Sequence, residues 1–96
     1  MSLRDHHQFR LYVAGETENS SQAVANLTAL CRTYLLGRHE IEVVDVLREP
    51  ARALMDAIFM TPALIRLAPV PTRKIIGTLS QTETVLDALG LRAKVA

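Results

Sequence analysis

The first half of the sequence constrains the fold most, because it predicts two strands joined by a long helix. Phe9, Leu11 and Val13 alternate with other residues, which predicts a strand over residues 8–14. The next apolar residues recur on one helix face, namely Ala23, Val24, Leu27, Leu30, Cys31, Tyr34 and Leu35. Residues 40–47, EIEVVDVL, are rich in β-branched side chains and predict a second strand, covered on both sides. This order implies a right-handed parallel βαβ unit.

The loop between the first strand and the helix is short and polar. Gly15 ends the strand, and Asn19 or Ser20 can cap the helix with a side-chain oxygen. Gly37 can end the helix in a left-handed backbone conformation.

The second half of the sequence predicts a short helix followed by two strands. Pro50 suits the first turn of a helix that we expect to turn Leu54, Met55 and Ile58 towards the core. ALIRLA (63–68) and TRKIIG (72–77) predict strands, and the stiff connection Pro69-Val70-Pro71 makes them antiparallel neighbours.

A last helix is predicted after Ser80, which forms a capping box with Glu83. We expect its residues Val85, Leu86 and Leu89 to point inward. The full order is therefore βαβαββα, an α/β arrangement typical of the thioredoxin-like fold.

Length and composition fit one domain of that size. The chain has 96 residues, of which 49% are hydrophobic and 22% charged. We expect a flexible terminus over residues 1–7, one domain over 8–91 and a tail over 92–96.

The charge and the residue types exclude several function classes. A net charge of +1 with scattered basic residues gives no footprint for nucleic acid. No apolar run approaches the length of a membrane helix and the start is polar, so we expect a cytoplasmic protein without membrane contact. A single cysteine cannot form an internal disulfide.

Thiol chemistry is absent where this fold would place it. Oxidoreductases of the fold carry Cys-x-x-Cys at the start of the first helix, whereas this chain has Thr17-Glu18-Asn19-Ser20. We interpret Thr17 and Ser20 as capping or partner-contact residues rather than nucleophiles, because a hydroxyl without a base cannot exchange thiols. Cys31 fits a small core residue. We expect no enzymatic activity and no cofactor.

The remaining candidates have two interpretations each. Thr61-Pro62 can be a cis-proline facing the loop after the first strand, or an ordinary trans-proline. Arg66, Arg73 and Lys74 can form a basic rim for an acidic partner, or solvated strand edges guarded by charge. The histidines can suggest a metal, but we expect them to be solvated: His6, His7 and His39.

Several segments together resemble the KaiB family over about residues 9–91. They are LYVAGETENSSQAVANL, IEVVDVLREP and MTPALIRLAPVPTRKIIGTLSQTETVL, which keep the order and spacing of five motifs. The motifs are the YVAG turn, V-D-V-L-x-x-P, T-P-x-L, the proline pair and R-x-I-I-G-x-L-S.

The resemblance implies a non-enzymatic protein that binds a KaiC-type ring ATPase. In cyanobacteria such proteins also sequester KaiA and displace or recruit histidine-kinase output proteins. Candidate partner contacts are Glu16, Asn19, Arg66, Arg73 and Lys74. The alternative is a signalling or stress-response domain that binds a histidine kinase or another protein without a clock.

The resemblance also implies metamorphism, with a βαββααβ ground state that is usually tetrameric and a thioredoxin-like monomer. The segment 50–96 changes between the two, and a homo-oligomer, dimer or tetramer, is compatible with the family. Candidate conformational residues are Pro62, Pro69, Pro71, Ala88 and Gly90.

Two departures distinguish this chain from cyanobacterial KaiB. Ala88-Leu89-Gly90 stands where the family often has Gly-Leu-Asp, and Ala favours a helix over Gly by up to ~1 kcal/mol. This predicts a bias towards the thioredoxin-like state. The acidic C-terminal tail is absent, which argues against a KaiA-type partner and for a homologue outside the core oscillator.

Overall fold

The computed structural model describes residues 6–91, and their element order is the predicted βαβαββα. The elements are β1 (His7–Val13), α1 (Glu18–Tyr34), β2 (His39–Asp45), α2 (Pro50–Met55), β3 (Ala63–Ala68), β4 (Arg73–Ile76) and α3 (Thr82–Leu89). The alternative order βαββααβ is not the one that this structure has. Residues 1–5 of the expected flexible terminus and the tail 92–96 lie outside the described residues, and His7 already belongs to β1.

The four strands form one sheet in the order β2-β1-β3-β4. β1 pairs with β2 in parallel, so the predicted βαβ unit is confirmed. β3 pairs antiparallel with both β1 and β4, so the antiparallel pair around the two prolines is confirmed as well. β2 and β4 are the edge strands.

The two faces of the sheet carry separate cores. Alternate residues of β1, including Phe9 and Leu11, pack with buried residues of α1 and α3 on one face. Tyr12 packs with buried residues around α2, including Ala53 and Ile58, on the other face. The final helix is inward at Val85, Leu86 and Leu89, as predicted.

The prediction that β2 is covered on both sides is wrong. Val44 is its one fully buried residue, while Val43 is about half exposed. β-branched residues indicate a pleated, partly buried surface, and they suit an edge strand as well as a central one.

The helix ends differ from the predicted ones. Thr17, rather than Asn19 or Ser20, is the N-cap of α1, and its side chain accepts from the Ser20 amide. The capping box of the last helix does not form, since Gln81 is the N-cap and makes no side-chain cap bond. Gly37 has a positive φ, but it lies in the turn beyond the Leu35 C-cap.

The inward face of α2 is also different from the predicted one. Ile58, just beyond the helix, is buried as predicted, and so is Ala53, whereas Leu54 and Met55 are exposed. A helix of six residues is too short for apolar periodicity to define its buried face.

Candidate functional site

Two loops meet at the end of the sheet where β1 and β2 finish, and Asp45 joins them. Its Oδ1 accepts from the amide of Leu47 at 2.9 Å and from the amide of Gly15 at 3.0 Å. These hydrogen bonds lower the pKa of the Asp45 carboxyl, because they favour its charged form, and the bond from Leu47 has the larger effect. Gly15 has φ +62°, and a Cβ there would contact Leu47 Cδ1 at 3.4 Å. The loop after β1 is thereby fixed against the chain that leads to α2.

The hydroxyls at the start of α1 close the same loop. The buried Ser20 Oγ accepts from the Ala14 amide at 3.1 Å and from Thr17 Oγ1 at 2.9 Å. Neither partner is a base, so no hydrogen bond of Ser20 Oγ within residues 6–91 would activate it as a nucleophile. The geometry supports the interpretation of Thr17 and Ser20 as structural residues of the loop.

Cys31 is a core residue, as its sequence context predicts. Its side chain is fully buried within the α1 face of the core. Burial raises the pKa of the thiol to about 11, because the thiolate would lose its hydration. A thiol exchange role for Cys31 has no support in this environment.

Pro62 follows a cis peptide bond from Thr61, so the cis interpretation is confirmed. Pro62 is buried, and its carbonyl accepts from the Gly77 amide at 2.9 Å. Pro69 and Pro71 also follow cis bonds, from Ala68 and Val70.

An exposed apolar surface extends over the segment between β2 and β3. Five large side chains in it are exposed by 65% or more: Leu47, Leu54, Met55, Phe59 and Met60. We call these five residues the apolar surface. It adjoins the loop after β1, because Leu47 lies against Gly15. The sequence pattern does not reveal it, because apolar periodicity predicts Leu54 and Met55 in the core.

Charged residues fasten α2 and the turn after it to the sheet. Asp56 Oδ2 accepts from Tyr12 Oη at 2.5 Å and from Arg10 Nη1 at 3.0 Å. Glu42 is bound by Arg10 Nε at 3.0 Å and by both terminal nitrogens of Arg52 at 2.8 and 2.9 Å. These pairs, chiefly the one with Arg52, lower the pKa of Glu42 to about 2. We call these five residues the α2 network.

Glu16 and Asn19 are both exposed near the loop after β1. Glu16 lies at the mouth of a cleft of about 340 Å³, whose walls include Val13, Val24 and Val43. Glu16 follows Gly15, which lies against Leu47 of the apolar surface, and Asn19 lies three residues further along, in the first turn of α1. Their role in binding stays a prediction.

Arg66 is not at a surface rim, and both interpretations of it are wrong. The side chain is buried, and its Nη1 and Nη2 donate to the carbonyls of Leu89 at 2.6 Å and Pro71 at 2.8 Å. Burial is the main cause that lowers the pKa of Arg66. An arginine in an alternating strand pattern gives no sign of such burial, because it depends on where the last helix ends.

Arg73 and Lys74 are exposed on the edge strand β4. Lys74 Nζ donates to the carbonyls of Asp56 and Ala57, both at 3.2 Å, which places it beside the apolar surface. Successive strand residues face opposite sides, so Arg73 lies on the other face of the sheet. The three basic candidates do not form one patch.

The histidines lie at the start of β1 and β2, where His7 and His39 are cross-strand partners, and their solvation differs. His7 is buried and stacks on Phe9, so the expectation of a solvated residue is wrong there. His6 Nε2 lies 2.8 Å from Glu40, and His39 Nδ1 lies 2.9 Å from the Leu35 carbonyl. Over residues 6–91, no three His, Cys, Asp or Glu side chains are grouped as a metal site would require. In the same range, no helix has both the length and the apolar character needed to cross a bilayer.

The comparisons with known proteins agree on one family. The family model of the KaiB domain matches residues 10–91. The circadian clock oscillator protein KaiB of Synechococcus sp. (strain RCC307) is 44% identical over 91 residues, which cover 95% of this chain and 83% of that protein. The circadian clock protein KaiB3 of Synechocystis sp. (strain ATCC 27184 / PCC 6803 / Kazusa) is 44% identical over 82 residues, covering 85% of this chain and 80% of that protein.

Solved structures with the same fold are thioredoxin-like. The N-terminal domain of SasA from Synechococcus elongatus superposes with a TM-score of 0.74 at 16% identity, covering 100% of this chain and 94% of that domain. Mitochondrial thioredoxin 3 from Saccharomyces cerevisiae gives 0.71 at 18% identity, covering 93% and 83%. At these identities the similarity concerns the fold, and it confirms the thioredoxin-like class.

Proposed function

This chain belongs to the KaiB family, and from that premise we propose that it is a non-enzymatic interaction module that binds a KaiC-type ring ATPase. The setting would be a circadian clock or a timing system derived from one, since the relatives are named as clock proteins. The thioredoxin-like fold would serve recognition, because Thr17 and Ser20 stand where a redox site needs thiols.

The apolar surface is the observation that carries the proposal. Met55 and Phe59 are 85% and 82% exposed, although burying such side chains stabilises a protein by roughly 1.5–3 kcal/mol each. Five large exposed apolar side chains lie within residues 47–60, and a concentration of exposed apolar groups marks a surface that a partner covers. Methionine and phenylalanine are also enriched where proteins meet.

Polar candidates border this surface on two sides. Glu16 and Asn19 lie on the adjoining loop and the first turn of α1, and Lys74 lies beside Asp56 and Ala57. A polar rim around an apolar centre is the usual composition of a binding surface. We therefore include these three residues and exclude Arg66, which is buried.

Co-purification with the cognate ring ATPase, in ATP and in ADP, tests the proposal. Leu54→Ser should weaken binding at least about tenfold, as expected when an anchor residue of an interface is truncated. Leu36→Ser is the matched control, because Leu36 is 74% exposed and Leu54 is 70% exposed. Leu36 lies in the turn before β2, at the opposite end of the sheet. Absence of a complex in both nucleotides, or equal loss in the two variants, would contradict the proposal.

A histidine kinase is the second candidate partner. Binding of this chain to the sensor domain of a kinase, measured beside its binding to the ring ATPase, is the informative experiment. If the second candidate were correct, the chain would bind the sensor domain of a kinase directly and would not bind the ring ATPase. A KaiA-type partner and a stress-response role are not part of the proposal. Whether the chain is a monomer, dimer or tetramer is measured by light scattering after size-exclusion chromatography.

A further inference from the structure

A second cleft lies at the opposite end of the sheet from the apolar surface. Its volume is about 580 Å³, and it lies between the end of α3, the β3–β4 turn and the turn before β2. His7 lines it, and its charged side chains are basic except at one position: Arg38, Arg66, Arg73 and the carboxylate of Asp87. We call it the arginine cleft.

Arg66 brings a buried positive charge to this cleft. The residue is 5% exposed, and within residues 6–91 its terminal nitrogens bond only backbone carbonyls. Its Nε has no hydrogen-bond acceptor there. A buried cation is unfavourable unless an anion compensates its lost hydration. The carbonyl end of α3, at Leu89, supplies part of that compensation through the helix dipole.

Arg73 adds a second positive charge on the same face. Arg66 and Arg73 are directly opposite each other on β3 and β4. Like charges in this cross-strand position repel each other. The charge of Arg73 is accordingly the second cause, after burial, that lowers the pKa of Arg66. The Arg73 side chain is exposed at the cleft, so its guanidinium is available to a ligand.

We propose that the arginine cleft binds an oxyanion, a phosphate or carboxylate group, held directly by Arg73 and stabilised by the charge of Arg66. A guanidinium binds such groups through two parallel hydrogen bonds. An anion here would relieve the repulsion between the two arginines and compensate the buried charge. The volume would also admit a small molecule that carries the group. The proposal is independent of the docking partner.

Titration of the ¹⁵N-labelled protein with inorganic phosphate, and separately with acetate, tests the proposal. Potassium chloride at matched ionic strength is the reference. The amide shifts of Val70, Arg73 and Gly90 should change and saturate with at least one oxyanion, but not with chloride. Saturation with phosphate alone would identify a phosphate ligand, saturation with acetate alone would identify a carboxylate ligand, and saturation with both would show a site for either oxyanion.

Substitutions at the neighbouring residues Arg73 and Lys74 test the site, with Lys74→Gln as the matched control for Arg73→Gln. Arg73→Gln should raise the dissociation constant at least about tenfold, because it removes a charge-assisted contact. Lys74→Gln removes the same charge one residue away on the opposite face, and it should bind like the parent chain. Arg73→Lys keeps the charge without the two-pronged geometry, and intermediate weakening is expected. Shifts that do not saturate, or equal weakening in Arg73→Gln and Lys74→Gln, would overturn the proposal and leave Arg66 as a helix-end contact only.

Discussion

Replacing Asp56 by Asn should destabilise the protein, because this carboxylate fastens the turn after α2 to the central strand. Tyr12 is fully buried, and its hydroxyl donates to Asp56 at 2.5 Å, while Arg10 donates at 3.0 Å. Hydrogen bonds to charged groups contribute about 1.5–3 kcal/mol each. The Asp56 side chain is 27% exposed, and Asn retains one acceptor oxygen. We therefore expect a total loss of about 2 kcal/mol for the two bonds, below their summed range of about 3–6 kcal/mol.

Urea unfolding followed by circular dichroism measures the loss. At about 1–2 kcal/mol per molar urea, the midpoint should fall by about 1–2 M. Tyr12→Phe removes one donor and should cost about 1 kcal/mol, and the double variant should show a positive coupling energy. Glu18→Gln changes an exposed carboxylate in the first turn of α1 that contacts Gln22, and its loss of a favourable helix-end charge should cost only about 0.3–1 kcal/mol.

The pH dependence provides a separate check with a defined sign. The Tyr12 hydrogen bond, and then the Arg10 pair, lower the pKa of Asp56 in the folded state, and Glu42 is lowered to about 2. A depressed carboxyl pKa stabilises the folded state above the unfolded pKa of about 4, and this contribution is lost as the pH falls towards the folded value. Stability should decline between about pH 5 and pH 2, and less steeply in Asp56→Asn. An Asn variant with the parental midpoint and pH profile would refute the reasoning.

Three further predictions concern the core thiol and the last helix. Cys31 should react with a thiol reagent at pH 8 far more slowly in the native than in the urea-unfolded protein, because its pKa is about 11; rapid labelling of the native state would contradict its burial. Gly90→Ala should cost about 1 kcal/mol in urea unfolding, since φ is +69° at this helix end, and Gly90→Asn should cost less; equal costs would contradict the backbone explanation. NMR secondary shifts should show residues 82–89 helical in the free protein, with less helix in Ala88→Gly; strand shifts in the parent chain would show that the Ala88 bias is too weak.

The element order could be predicted from the sequence because the long elements carry strong periodicity. β1 and α1 each present one unambiguous apolar face, and the proline pair defines the connection between β3 and β4. The buried face of the short helix α2 could not be predicted from periodicity. For this reason the prediction places Leu54 and Met55 in the core, whereas both are exposed. The error concealed the apolar surface, which is the main feature of the candidate site.

Other features depend on contacts between distant segments. Asp45 was visible within the V-D-V-L motif, yet its bonds to Gly15 and Leu47 require β1 and β2 to end side by side. The burial of Arg66 requires the C-terminus of α3 to lie across β3. Periodicity describes one segment at a time, so it contains no information on either contact.

The central position of β1 affects how the second half of the chain could ever rearrange. One edge of β1 is paired with β2 from its own half, and the other edge, from Gln8 to Tyr12, is paired with β3. A rearrangement of residues 50–91 that removed β3 without supplying another strand would leave that second edge with unpaired backbone groups and an apolar face. An unpaired strand edge of this kind can pair with a strand of another copy of the chain. Such a rearrangement would therefore be accompanied by self-association, and dilution should favour the fold in which β3 of the same chain pairs with β1.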